Sequence, residues 1–169
     1  MARDPRGVTP DVPAPGQESV WDYPRPPRWD REPERVEIML GGEVILSTDG
    51  AIRVLETSHP PTYYLPVADF VDDAVRPAEG SSFCEWKGMA SYFDVVGGDQ
   101  VAARAAWGYP SPTVGWEVLL DYVAVYAAAM DHCTVGDHVV EPQPGGFYGG
   151  WVTPRVVGPF KGVPGSHGW

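Results

Sequence analysis

Two adjacent glycines, Gly41-Gly42, separate the apolar runs Arg35–Leu40 and Glu43–Ser47, and a second short turn, Asp49-Gly50, leads into Ala51–Glu56. A two-residue glycine connection between such runs marks a tight hairpin, because glycine takes the positive φ that these turns require. The three segments therefore read as an antiparallel meander. Side chains alternate along a strand, so Ile52, Val54 and Glu56 share one face of the third segment and Arg53 and Leu55 the other. Each face carries a charge beside an apolar neighbour, as edge or rim positions often do.

The same punctuation continues. With 20 Gly and 19 Pro in 169 residues, many turns and few long helices are expected. Further strands are read over Thr62–Leu65, Met89–Val96 and, after the Gly97-Gly98-Asp99 turn, Val101–Trp107, whose alanines leave helix as the alternative. Trp116 to Met130 holds a buried strand at Tyr122–Tyr126, or a short helix. Cys133–Val135 and His138–Val140 form a small hairpin. Pro66 opens a helical turn through Val71, a loop follows from Asp72 to Gly80, and Thr153 caps a helical turn from Pro154 to Gly158. The fold class is mainly β, an antiparallel domain with one or two helical turns. It divides into an extended Pro/Arg-rich arm over 1–34, partly ordered, a β-rich domain over 35–162, and a tail over 163–169. Trp21, Tyr23 and Trp29 allow two readings of the arm, a strap across the core or a solvated tail.

A net charge of -11 repels phosphate backbones, which argues against nucleic acid and anionic membranes as partners while leaving room for a local basic pocket. No apolar run approaches the roughly 20 residues that cross a bilayer, and the N-terminus lacks the apolar core of a signal peptide, so a cytoplasmic location is expected. There, Cys84 and Cys133 should be two free thiols. His132, Cys133 and His138 stand close together but without a second ligand pair at zinc spacing, so no metal and no cofactor are expected.

The chemistry concentrates in Ser81-Ser82-Phe83-Cys84-Glu85-Trp86-Lys87-Gly88, which gathers a thiol, a carboxylate, an ammonium and two aromatic rings. Cys84 is a nucleophile if a turn brings Lys87 beside it, and otherwise a small core residue. Lys87 and Arg53 are the cations expected near an anionic ligand, with Glu56 and Glu85 as candidate general bases. Trp86, Tyr92, Trp107, Tyr109, Tyr122 and Tyr126 either line a pocket or fill the core. His59, beside Pro60-Pro61, reads as a loop residue hydrogen-bonded to backbone. Gly80-Ser81 followed by Asp94 has the spacing of a nucleotidyltransferase turn, but the second acid of the metal-holding pair is missing.

The runs Arg53–Tyr64, Cys84–Gly88 and Trp107–Pro112, together with Tyr92, resemble the bacterial family called domain of unknown function 427. Pro144–Trp151 and Gly158–Gly162 resemble a longer subgroup of it. The resemblance implies a compact fold of Mss4-like or β-tent type, without the cysteine pairs of zinc-binding members, and a nucleotidyltransferase label that the missing acid does not support.

Three functional readings follow. The first is a pocket for a small anionic metabolite, with Arg53, Lys87, Tyr64, Trp86, Tyr92, Trp107 and Tyr109 as binding residues. The second is an enzyme using Cys84 as nucleophile or Glu56 as acid/base. The third is an interaction module whose aromatic arm docks on a partner or forms a homodimer.

Overall fold

The computed structural model describes residues 6–169, so the first five residues of the arm lie outside it. Fifteen strands follow one another: β1 (Glu18–Ser19), β2 (Arg28–Arg31), β3 (Val36–Leu40), β4 (Glu43–Thr48), β5 (Ile52–Leu55), β6 (Thr62–Pro66), β7 (Val75–Cys84), β8 (Gly88–Gly97), β9 (Gln100–Gly108), β10 (Tyr122–Val125), β11 (His132–Val135), β12 (His138–Val139), β13 (Glu141–Pro142), β14 (Trp151–Val152) and β15 (Val156–Val157). The helical content is single 3-10 turns at Val20–Asp22, Val67–Asp69, Glu117–Leu119 and Ala127–Ala129. A seven-stranded sheet runs β2-β5-β6-β10-β9-β8-β7 and a four-stranded sheet runs β12-β11-β3-β4. Both are antiparallel throughout. The chain is mainly β, as its punctuation implied.

The meander does not hold past its first hairpin. Gly41 and Gly42 adopt φ of 61° and 77° and join β3 to β4, but β5 leaves for the larger sheet and pairs with β2 and β6. All four β5 residues are buried. A strand covered on both faces belongs inside a sheet with layers on either side, which the meander's outer position could not supply.

One layer is the main core. Ile38, Leu40, Ile45, Cys133 and Val135 of the smaller sheet pack against Tyr63, Leu65, Val95, Val123 and Val125 of the larger. Each such large apolar side chain contributes about 1.5–3 kcal/mol by leaving water. The Cys133 thiol sits in this layer, and burial pushes its pKa up to about 12. Trp151 closes the layer, stacked on Tyr63 with ring centroids 5.0 Å apart, its indole N–H donating to the Val125 carbonyl at 2.9 Å.

Residues 75–80, expected as loop, are the first part of β7. Pro77 and Gly80 are accommodated because β7 is an edge strand whose register slips between Pro77 and Ser81. The helical turn expected after Thr153 is a tight turn into β15. Thr153 Oγ1 accepts from the Arg155 N–H at 3.3 Å, and the Thr153 carbonyl accepts from the Val156 N–H at 3.2 Å. The arm is woven in: β2 is an edge of the larger sheet and β1 pairs parallel with β15. Trp21 donates its indole N–H to the Pro159 carbonyl at 2.9 Å and meets Trp169 edge-on at 5.3 Å, so arm and tail clasp each other.

Candidate functional site

The second face of the larger sheet is where the aromatics gather. Alternation along β6 sends Tyr63 and Leu65 into the main core and Tyr64 to the opposite face. Tyr64 is joined there by Ile52, Val54, Trp107 and Tyr109. Val54, Tyr64, Trp107 and Tyr109 floor a cleft of about 800 Å³. One wall is the tip of the β7–β8 hairpin. The other is the segment carrying Gln143, Phe147, Tyr148 and Gly149, with Lys161 beside it. Gly149 explains the glycine-rich spelling of that second wall. A β-carbon there would enter the Trp107 indole, so only glycine lets the backbone lie on the ring. Phe83 and Phe147, 72% and 76% exposed, stand where the cleft meets solvent.

Cys84 pairs with Gly88 across the hairpin, which makes Glu85-Trp86-Lys87 its turn. The turn folds Lys87 inward until only 8% of it is exposed. Its ammonium lies 5.8 Å from the Tyr109 ring centroid and 5.6 Å from that of Trp116. Among the described residues, no carboxylate forms an ion pair with it. Lys161 reaches the cleft from the other wall, its ammonium 5.7 Å from the Tyr148 ring centroid and donating to the Trp169 main-chain oxygen at 3.0 Å.

Between the lysines stands His59. Its Nδ1 is 3.1 Å from Gln143 Nε2, its Nε2 is 3.8 Å from Glu56 Oε2, and its ring meets Tyr148 edge-on at 4.9 Å. Burial, followed by the positive charges of Lys161, Arg25 and Lys87, lowers its pKa to about 4. A hydrogen bond to Gln143 would ordinarily raise it, yet the amide presents an N–H, and a proton on Nδ1 would face that N–H. Glu56 does not reverse the field, because its carboxylate accepts from the Arg25 guanidinium at 3.2 Å. On the floor, burial raises the pKa of Tyr64 against hydrogen bonds from Tyr109 and Trp107, and burial likewise raises that of Tyr109.

The fold thus brings together Cys84, Glu56, Lys87, Tyr64, Trp86, Tyr92, Trp107 and Tyr109, all lining the cleft. Arg53 is not among them. It faces the other side of β5, where it takes Asp30 at 2.9 and 2.8 Å and Glu18 at 2.8 Å, with Glu32 3.9 Å away. Tyr122 packs against the floor cluster without lining the cleft. Gly80-Ser81 lies within β7 rather than in a turn, and Asp94 accepts the Arg104 N–H at 2.8 Å where β8 and β9 slip register. Sequence reasoning missed His59, Gln143, Phe147, Tyr148 and Lys161 as site residues. For Phe147 and Tyr148 the signal was the glycine-aromatic run that contains them. Among the described residues, no three His, Cys, Asp or Glu side chains stand close enough to hold a metal ion.

Residues 28–136 match the family model described as domain of unknown function DUF427. The chain belongs to that family. No curated protein matches it. The residues matched to DUF427 supply the cleft floor and the hairpin wall, whereas Gln143, Phe147, Tyr148 and Lys161 fall beyond them. One wall of the cleft is therefore an addition to the matched DUF427 span.

Proposed function

We propose that this DUF427 protein binds a small anionic metabolite in the aromatic cleft, with its acidic group at Lys87 and its apolar or planar part against Trp107, Tyr109 and Tyr92. The observation that carries this reading is the state of Lys87, buried in the cleft wall between two rings and without a carboxylate among the described residues. Burying an ammonium costs several kcal/mol unless an anion accompanies it. Two cation–π contacts offset about 0.5–2 kcal/mol each. A ligand anion supplies the rest. The overall charge of -11 does not forbid it, because exposed charges beyond a Debye length of about 8–10 Å are screened. The cleft lining holds Lys87 and Lys161 as cations against Glu56 and Glu85 as carboxylates, and Glu56 is engaged by Arg25.

The test is a thermal-shift screen of the purified protein against acidic, neutral and basic metabolites. Ligand at about a hundred times its Kd adds roughly 2.7 kcal/mol of stability. Acidic compounds are expected to raise Tm in the wild type and not in Lys87→Met. A shift from basic compounds only, or one that Lys87→Met retains, would refute the assignment.

A further inference from the structure

Gln143 is 3% exposed, and both ends of its amide are held by backbone groups of fixed polarity. The Gly150 N–H donates to Oε1 at 3.0 Å, and Nε2 donates to the Lys161 carbonyl at 2.9 Å. A flipped amide would set N–H against N–H and oxygen against oxygen, so the orientation is determined by the backbone around it. The second proton on Nε2 then points at His59 Nδ1, 3.1 Å away. Nδ1 must accept, and a neutral imidazole that accepts at Nδ1 carries its proton on Nε2. His59 lines the cleft. The nearest carboxylate oxygen, Glu56 Oε2, is 3.8 Å off, beyond hydrogen-bond length, and is engaged by Arg25.

We propose that His59 determines ligand specificity in the cleft: Gln143 locks its imidazole as the Nε2–H tautomer, which donates to an oxyanion of the bound metabolite, a carboxylate or a phosphate. This rests on the anion-binding reading of the cleft and adds to it a directed donor. Lysine ammoniums attract any anion without strong directionality, whereas one fixed N–H selects where the oxyanion sits. With Lys161, Arg25 and Lys87 around it, a neutral donor favours an acidic ligand and offers nothing to a basic one. Gln143 is a positioning residue, since it acts only through the ring it orients.

The experiment uses the full chain with two probes, benzoate and phenyl phosphate, which separate the two oxyanion sources. Long-range proton–nitrogen NMR at pH 7 is expected to show His59 protonated on Nε2 and bare on Nδ1, and the fitting probe should shift the Nε2–H signal. His59→Phe should weaken that probe about tenfold or more, and His59→Gln, which restores an N–H donor, should recover part of the loss. Gln143→Glu, which turns the donor facing Nδ1 into an acceptor, should put a proton on Nδ1. An Nδ1–H tautomer in the wild type overturns the proposal, as does probe binding that His59→Phe leaves unchanged while Lys87→Met abolishes it. That last result would leave the cleft reading standing and remove only His59. Binding of neither probe to the wild type would overturn both.

Discussion

Arg53, on β5 of the large sheet, and Lys87, in the turn of that sheet's β7–β8 hairpin, are both buried cations, 6% and 8% exposed, and their surroundings are opposite in kind. Arg53 is enclosed by carboxylates that arrive from the arm: Glu18 on β1, Asp30 on β2, and Glu32 just beyond it. Glu32 in turn takes Arg155 in a two-pronged pair at 2.8 and 2.9 Å, so the network ties the arm, the sheet and the C-terminal segment together. Lys87 has the Tyr109 and Trp116 rings beside its ammonium and, among the described residues, no ion pair. A buried charge whose counter-ions come from distant parts of the chain belongs to the fold. One left with aromatic faces in the wall of a cleft is, on the function proposed above, the ligand's partner. Sequence alone groups the two as equivalent cations, and only the alternation of β5 separates them.

The comparison can be broken from either side. The largest effect expected is on Arg53→Met, which removes the buried guanidinium from the partly exposed Asp30 and Glu18 and should cost about 3 kcal/mol in urea denaturation. A cost under about 1 kcal/mol would show that the network does not hold the arm. Acid should come next. His59 has a folded pKa near 4, below its ordinary 6.5, so the unfolded chain binds the proton more readily. The stability it confers is complete above about pH 6.5 and is lost as pH falls toward 4, by up to roughly 3 kcal/mol. Stability measured against pH should therefore flatten over that window in His59→Phe. Below it, Glu18 takes over: burial works against its charge, but Arg53 holds its pKa below the ordinary value, and its share disappears as pH falls through that lowered pKa.

Gly149→Ala pushes a methyl into the Trp107 indole and should cost about 1–3 kcal/mol, with a change in tryptophan fluorescence marking displacement of the cleft wall. An unchanged spectrum and midpoint would mean that the wall yields freely. The smallest effect is expected of Lys87→Met, within about 1 kcal/mol of the wild type or slightly stabilising, since an unpaired buried charge gives way to an apolar chain of similar length.

Much of the fold was legible because glycine and proline punctuate it directly. The Gly41-Gly42 hairpin, the Tyr122–Val125 strand and the turn after Pro66 are written in local residues. The path of β5 was not, because which sheet a strand joins depends on layers formed by distant segments. β7 was obscured by Pro77 and Gly80, which read as loop and are tolerated by an edge strand at a bulge. At the site, the hairpin carrying Cys84 and Lys87 and the aromatic floor were visible as composition. His59 and Gln143 were not, being separated by 84 positions and joined only when the second wall folds over the sheet.

The most direct measurement compares wild type, Arg53→Met and Lys87→Met in one thermal-shift series, with and without the same acidic ligand. Arg53→Met should have a lowered Tm and keep the ligand-induced rise, while Lys87→Met should keep its Tm and lose the rise. A rise retained by Lys87→Met, or abolished in a folded Arg53→Met, would contradict the division of the two cations between fold and ligand.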